Sequence, residues 1–158
     1  MSKKIVLGFS GGLDTSFCVK YFTVEMGYEV HTVIVNTGGF TKEELKHIEN
    51  HAYALGAKTH KTVEAEDSYY NTIIKYLIFG NVLKNNTYPL SVSAERLIQA
   101  LHISDLVEEL NADAVAHGST GAGNDQVRFD MIFNIMIPGI EIITPIRDLK
   151  VEGRGYRV

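Results

Sequence analysis

The stretch from Ile5 to Ser16 constrains this chain more than any other. Ile5, Val6 and Leu7 form a short branched apolar run, the mark of a strand buried on both faces of a parallel sheet. Gly11 and Gly12 follow, and glycines let a backbone turn tightly and approach a ligand closely. Phe17, Tyr21 and Val24 then recur at helical spacing, so a helix is expected to start around Asp14, Thr15 and Ser16. A strand that turns on glycines into a helix start is an anion cradle. Unpaired amides and the positive helix end both favour negative charge. The helix-end effect is worth only about 0.3–1 kcal/mol when exposed. Several amides and the hydroxyls of Ser10, Thr15 and Ser16 must therefore share the binding. The plainer alternative is an ordinary β-to-α turn capped by Asp14.

The kind of phosphate loop follows partly by exclusion. A Walker loop needs a Gly-Lys dipeptide, and the chain has none. The dinucleotide pattern of spaced glycines does not fit the turn either. What remains, Ser10-Gly11-Gly12-Leu13-Asp14-Thr15-Ser16, resembles the PP-loop of ATP pyrophosphatases, which split ATP into AMP and pyrophosphate. That resemblance implies a loop that grips the departing pyrophosphate.

The rest of the chain reads as alternating strands and helices. Glu29 to Val35 is a second strand ending at Asn36. Thr41 and Glu44 form a capping box ahead of a helix whose inner face is Leu45, Ile48, Ala52 and Leu55, stopped by Gly56. Thr59 to Val63 is a weaker strand, and Asp67 or Ser68 is expected to cap a helix facing inward through Tyr70, Ile73, Ile74 and Leu77. Gly80 to Val92, with Tyr88-Pro89, reads as a functional loop or a bend between helices. A helix from Ser93 to Leu110 would turn Ala94, Leu97, Ile98, Leu101 and Val107 inward. Ala114-Val115-Ala116 is a short strand, Val127 and Met131 continue into a further helix, and Ile140, Ile142 and Ile143 suggest a last strand before Pro145. The expected fold is α/β: a doubly wound, mostly parallel sheet with helices on both faces. Residues 1–149 would form this one domain. Residues 150–158, with Arg154 and Arg157 and no apolar face, read as a tail or the truncated start of a second domain.

Composition narrows the partners. A net charge of -4 and the lack of a basic stripe give nucleic acid or an anionic membrane no bulk electrostatic attraction. No apolar run approaches the ~18 residues of a membrane span. The single cysteine, Cys18, reads as a small buried hydrophobe in a reducing cytoplasm rather than as a nucleophile. No His, Cys and Asp spacing suits zinc or iron, so no metal site is expected beyond Mg²⁺ arriving with a nucleotide.

A second glycine-rich run, His117 to Asp125, follows the Ala114–Ala116 strand. Open parallel sheets bind ligands where the strand order reverses. If the two turned strands flank that point, both turns face one cleft. On the helix starting there, Asn124 and Arg128 lie four apart and Asp125 and Arg128 three apart, so all can address one ligand. Arg128 offers a planar fork to a carboxylate and Asp125 accepts from an ammonium, the opposites an amino acid requires. A plain surface Asp–Arg pair is the alternative, worth little in stability. His117 invites a general-base role, but a strand-end histidine bonded to backbone is the favoured reading.

Gly8 to Ser16, Tyr88-Pro89-Leu90-Ser91-Val92-Ser93 and His117 to Asp130 together closely resemble the argininosuccinate synthase family. Its members join citrulline to aspartate with ATP and Mg²⁺, releasing AMP and pyrophosphate. The resemblance implies ATP contacts at Gly8, Phe9, Ser10, Gly11, Gly12, Leu13, Asp14, Thr15, Ser16, Val35 and Gly118. It implies citrulline contacts at Tyr88, Ser93, Asn124 and Arg128, and aspartate contacts at Thr120, Asn124 and Asp125. It further implies a cytoplasmic homotetramer at full length, completed by a second domain. Phe9 stands where many members have tyrosine, Ala122 replaces a common lysine, and Val35 a frequent alanine. No covalent nucleophile stands out; Asp14, to place Mg²⁺ or the loop itself, and Asp125 are the catalytic candidates. The alternatives are a non-catalytic ATP-binding fragment and another PP-loop adenylating enzyme such as a tRNA thiolase. The latter would want basic surface and catalytic cysteines.

Overall fold

The computed structural model describes residues 2–149. The tail expected over 150–158 lies outside the described residues. Five strands, β1 (Lys4–Gly8), β2 (Glu29–Asn36), β3 (Thr59–Glu64), β6 (Ala114–Ala116) and β7 (Glu141–Ile143), form one sheet in the order β3-β2-β1-β6-β7. Every pairing in it is parallel. Helices α1 (Leu13–Lys20), α2 (Lys42–Leu55), α3 (Glu66–Tyr69), α4 (Lys75–Phe79), α5 (Ser91–Leu110), α6 (Asp125–Met136) and α7 (Pro145–Asp148) make the crossovers and flank the sheet.

Strand alternation builds two cores. Ile5, Leu7, Val30, Ile34, Ala114 and Ala116 face α1 and α2, meeting Cys18, Val19, Phe22, Leu45, Ile48, Ala52 and Leu55. Val6, Val33, Val35 and Val115 face the other way, against Ile98, Ile103, Leu106 and Val107 of α5 and Phe129 and Phe133 of α6. Each large side chain so buried contributes roughly 1.5–3 kcal/mol. A strand covered on both faces has no polar side to show, hence the unbroken apolar run of β1.

Several local expectations need correction. On α1 the inward face is Thr15, Ser16, Cys18 and Val19, continued by Phe22 in a π-helical segment Tyr21–Glu25. Val24 is exposed, and Phe17 and Tyr21 stack on each other at 5.9 Å. α3 is capped by neither Asp67 nor Ser68: Ala65 holds the cap position, and the Ser68 hydroxyl donates to the Ala65 carbonyl. The chain then widens into a π-helical segment, Tyr70–Ile74, so Tyr70 is exposed and Tyr69 packs in its place. α5 starts two residues early, at Ser91, and buries Ile103 and Leu106 as well as Ile98 and Val107. On α6, for which no inner face was read, Phe129 and Phe133 face the sheet, and Val127 and Met131, which marked the helix, are exposed. The stretch read as a loop carries a small antiparallel hairpin, β4 (Leu83–Lys84) with β5 (Tyr88–Pro89). Asn85 and Asn86, both at positive φ, make its turn.

Candidate active site

Strand order reverses beside β1, whose neighbours are β2 on one side and β6 on the other. The register pairs Leu7 with Ala116, so β1 and β6 end level and both glycine turns emerge at the same edge. A cleft of about 570 Å³ opens there, lined from the first turn by Gly8, Phe9, Ser10 and Gly12 to Thr15, and from the second by His117, Gly118, Ser119 and Asp125. The crevice expected between the two turns is present.

The first turn is shaped by its own polar atoms. Gly11 adopts φ +76°, a conformation glycine takes without cost, and a Cβ there would come within 3.1 Å of Ile48. The Ser10 hydroxyl accepts the Gly12 amide at 3.4 Å and lies 3.3 Å from the Thr15 hydroxyl, which donates to the Gly12 carbonyl at 3.2 Å. Gly12 is the N-cap residue of α1, and no side chain caps the helix. Asp14 therefore lies in the first turn of α1 and does not cap it. The Ser16 hydroxyl is turned from the cleft onto Nε2 of His51, 2.9 Å away on α2. Phe9 lines the cleft while its ring is buried near the rings of His51 and His60. Val33, Ile34, Val35, Ile103 and Phe129 give the cleft an apolar wall.

The second turn packs on the first. A Cβ on Gly118 would meet the Thr15 methyl at 2.8 Å and the Thr15 nitrogen at 3.3 Å. Only a residue without a side chain lets the turns close to this distance. His117, at the end of β6, is 2% exposed. Its Nδ1 accepts the Ser119 amide at 3.2 Å and its Nε2 lies 2.9 Å from Asp130 Oδ1. The favoured backbone-bonded reading of this histidine is met on one nitrogen, and the other adds a carboxylate. Burial lowers the imidazole's proton affinity, with the Asp130 contact working against it. Burial pushes the Asp130 carboxyl up, but the bonds from His117 and Arg147 together outweigh it and hold the group below its ordinary value.

Asp125 sits between two guanidinium groups. Its Oδ1 accepts from Arg128 Nη1 at 2.8 Å and its Oδ2 from Arg96 Nε at 3.1 Å. Arg128 Nη2 reaches the Ser93 hydroxyl at 3.1 Å, so Ser93, Asp125 and Arg128 are brought together. Tyr88 is 48% exposed on the hairpin, and Thr120 and Asn124 are exposed on the second turn; none of the three lines the cleft. Gly11, Ser16, Ser93 and Arg128 do not line it either; Ser93 and Arg128 join it only through Asp125, which does. Arg96 lines it although the sequence pattern did not single it out. It is held further by Glu95 and Gln99. Its place three residues after Ser93 on one helix was the available signal. Cys18 is buried, and burial, with a smaller contribution from Asp14, pushes its thiol up to about 12. That removes it as a thiolate nucleophile. Among the described residues no group of three or more His, Cys, Asp or Glu could hold a metal ion, and no helix is long and apolar enough to cross a membrane.

A parallel sheet wound on both faces, with its cleft at the reversal of strand order, defines a Rossmann-like α/β domain. The arginosuccinate synthase N-terminal HUP domain family matches residues 4–156, and the chain belongs to that family. It is similar to argininosuccinate synthase of Xanthomonas campestris, with 44% identity over 151 residues, covering 96% of this chain and 37% of the relative. The argininosuccinate synthase of Methanocaldococcus jannaschii is 41% identical over 151 residues, 96% of this chain and 38% of that one. The chain thus spans little more than a third of the length of these relatives. Among solved structures, the fold is similar to a predicted tRNA methyltransferase subunit of M. jannaschii, at a TM-score of 0.58 and 18% identity over 92% of this chain and 69% of that one. NMN synthetase of Francisella tularensis gives a TM-score of 0.58 at 13% identity, over 75% and 46% of the two chains.

Proposed function

We propose that this domain binds ATP in the cleft and, within a protein of its relatives' length, serves the ligation of citrulline to aspartate with release of AMP and pyrophosphate. The observation that carries this reading is the pair of glycine turns closing on one cleft, with Gly118 packed against Thr15. The triphosphate lies along Gly8 to Ser16, with Ser10, the α1 amides and the Thr15 hydroxyl facing the leaving pyrophosphate. The adenosine rests on the apolar wall at Val35, opposite Gly118. Tyr88, Ser93, Asn124 and Arg128 hold citrulline, and Thr120, Asn124 and Asp125 hold aspartate. In its present bonds Asp125 is shared between Arg96 and Arg128, so aspartate's ammonium takes the carboxylate's remaining acceptor capacity. Mg²⁺ enters as the counter-ion of the triphosphate, with Asp14 beside it. We place the full-length protein in the cytoplasm as a homotetramer, with no nucleic-acid or membrane partner.

The chemistry has two displacements. Citrulline's ureido oxygen bonds to the α-phosphorus as the bond to pyrophosphate breaks. Aspartate's amine then bonds to the ureido carbon, loses a proton and expels AMP. Charge grows on the leaving group in the first step, where preorganised donors act most strongly. Positioning carries much of the second. The test is calorimetric titration of this chain with Mg²⁺-ATP, followed by pyrophosphate release from a protein of the relatives' full length. This domain alone is expected to bind ATP weakly and to turn over little. In the longer protein, release that persists with citrulline omitted would overturn the assignment, and normal turnover by this domain alone would overturn its dependence on the rest.

A further inference from the structure

Behind the second turn lies a chain of polar contacts for which the ligand assignments above leave no role. The Ser119 amide can only donate, so the His117 nitrogen that it meets, Nδ1 at 3.2 Å, must carry the lone pair. The ring proton then resides on Nε2, aimed at Asp130 Oδ1 2.9 Å away. The other Asp130 oxygen accepts from Arg147 Nη1 at 2.7 Å. Arg147 comes from α7, beyond the last strand, and packs its Cγ 3.8 Å from where a Gly121 Cβ would be. The ring itself stacks on Phe129, 5.2 Å between centroids at 21°. Every degree of freedom of this imidazole is thus taken up: its plane by Phe129, its tautomer by Asp130, and its acceptor by the turn.

We infer that His117 is a positioning residue, whose Nε2–H tautomer, fixed by Asp130 and Arg147, holds the Ser119 amide so that Gly118 closes against Thr15. The opposite tautomer would set an N–H against the Ser119 N–H and push the turn outward. Gly118 and Ser119 form one side of the cleft, so the tautomer sets the width of the site where a ligand must fit. This reaches back to α7 through side chains that touch no ligand, and it assigns Asp130 and Arg147 a role in the site's geometry. The effect on ATP rests on the function proposed above; the tautomer and the turn do not.

The test separates the two ring nitrogens. An asparagine at 117 presents an acceptor near the position of Nδ1, and a glutamine presents a donor near that of Nε2. Long-range ¹H–¹⁵N spectra of the whole chain are expected to show His117 pyrrole-like at Nε2 and pyridine-like at Nδ1, with the Nδ1–H form growing in Asp130→Ala. His117→Asn should hold ATP affinity within about 3-fold of wild type, while His117→Gln loses about 10-fold, the scale of one net hydrogen bond. Both variants leave a void and lower the unfolding midpoint, so stability alone would not separate them. An Nδ1–H tautomer in the unsubstituted chain, or equal loss of ATP in the two variants, would overturn the inference. If the unsubstituted chain binds no ATP, the function fails and the turn still decides. Slow exchange of the Ser119 amide should survive in His117→Asn and vanish in His117→Gln, and the reverse pattern sinks the proposal.

Discussion

Gly118 and Gly8 make a paired test, because an added methyl meets different atoms at each. At Gly118 it lands 2.8 Å from the Thr15 methyl and 3.3 Å from the Thr15 backbone nitrogen, which cannot move without shifting α1. At Gly8 it lands 2.9 Å from Ile103 Cδ1, the far end of a flexible side chain. Gly118→Ala is therefore expected to weaken ATP binding by about 10-fold or more, and Gly8→Ala by clearly less. Calorimetry on the two variants reads the difference, and equal losses would mean that the turns need not touch. Ser10→Ala, in a protein of full length, is expected to raise the barrier to pyrophosphate release by roughly 2.7–4 kcal/mol, the scale of one lost preorganised donor. Single-turnover release rates measure it. Cys18 supplies a negative test: with its thiol pushed up to about 12, it should resist iodoacetamide at neutral pH until the chain is unfolded. Mass spectrometry of the folded chain would detect the contrary.

At the level of elements, what could be read beforehand was what local chemistry decides. α2 has its reciprocal cap: Thr41 accepts the Glu44 amide at 3.2 Å and Glu44 accepts the Thr41 amide at 2.8 Å. Gly56 ends it in the left-handed conformation at φ 107°. Both signals lie within a few residues of what they specify, so tertiary context has little to override. Thr41→Ala should cost about 1 kcal/mol in urea unfolding; no change would mean that packing against β3 and α1 alone fixes this helix. The first turn was legible for the same reason, being one contiguous run. The inner face of α5 was legible at Ile98, Leu101 and Val107 but not at Ile103 and Leu106, and that of α6 was not read, because apolar residues fall on more than one side of each helix and the sheet chooses which it covers. Nor was Arg96, whose importance comes from meeting Asp125 across 29 positions of chain. The π-helical widenings at Tyr21–Glu25 and Tyr70–Ile74 left no periodic mark at all.

Across the whole molecule, the histidines held in the fold make its stability depend on pH in a definable direction. His31 bonds to the Thr59 hydroxyl at 2.8 Å and to Glu29 at 3.2 Å. His60 bonds to the Thr32 hydroxyl at 2.9 Å, while its buried Nε2 finds no hydrogen-bond partner among the described residues. With His117 these span β2, β3 and the end of β6. In each, burial is the main cause of a proton affinity below the ordinary 6.5, opposed by Glu29, Glu49 and Asp130 respectively. Above 6.5 the imidazoles are neutral folded or unfolded, and this contribution to stability is complete. As pH falls below 6.5 the unfolded chain takes up protons that the folded chain refuses, so stability is lost on acidification through the lowered folded values. The urea midpoint should therefore drop between about pH 7.5 and about pH 5.5, above the range where carboxylates begin to titrate. His60→Leu should shrink that drop, because Thr32 keeps its bond to the Thr59 carbonyl at 3.2 Å and the orphaned nitrogen is gone. A midpoint that is flat over this range would mean that the folded chain accommodates the charged rings, and a steeper drop in His60→Leu would place the linkage elsewhere in the fold.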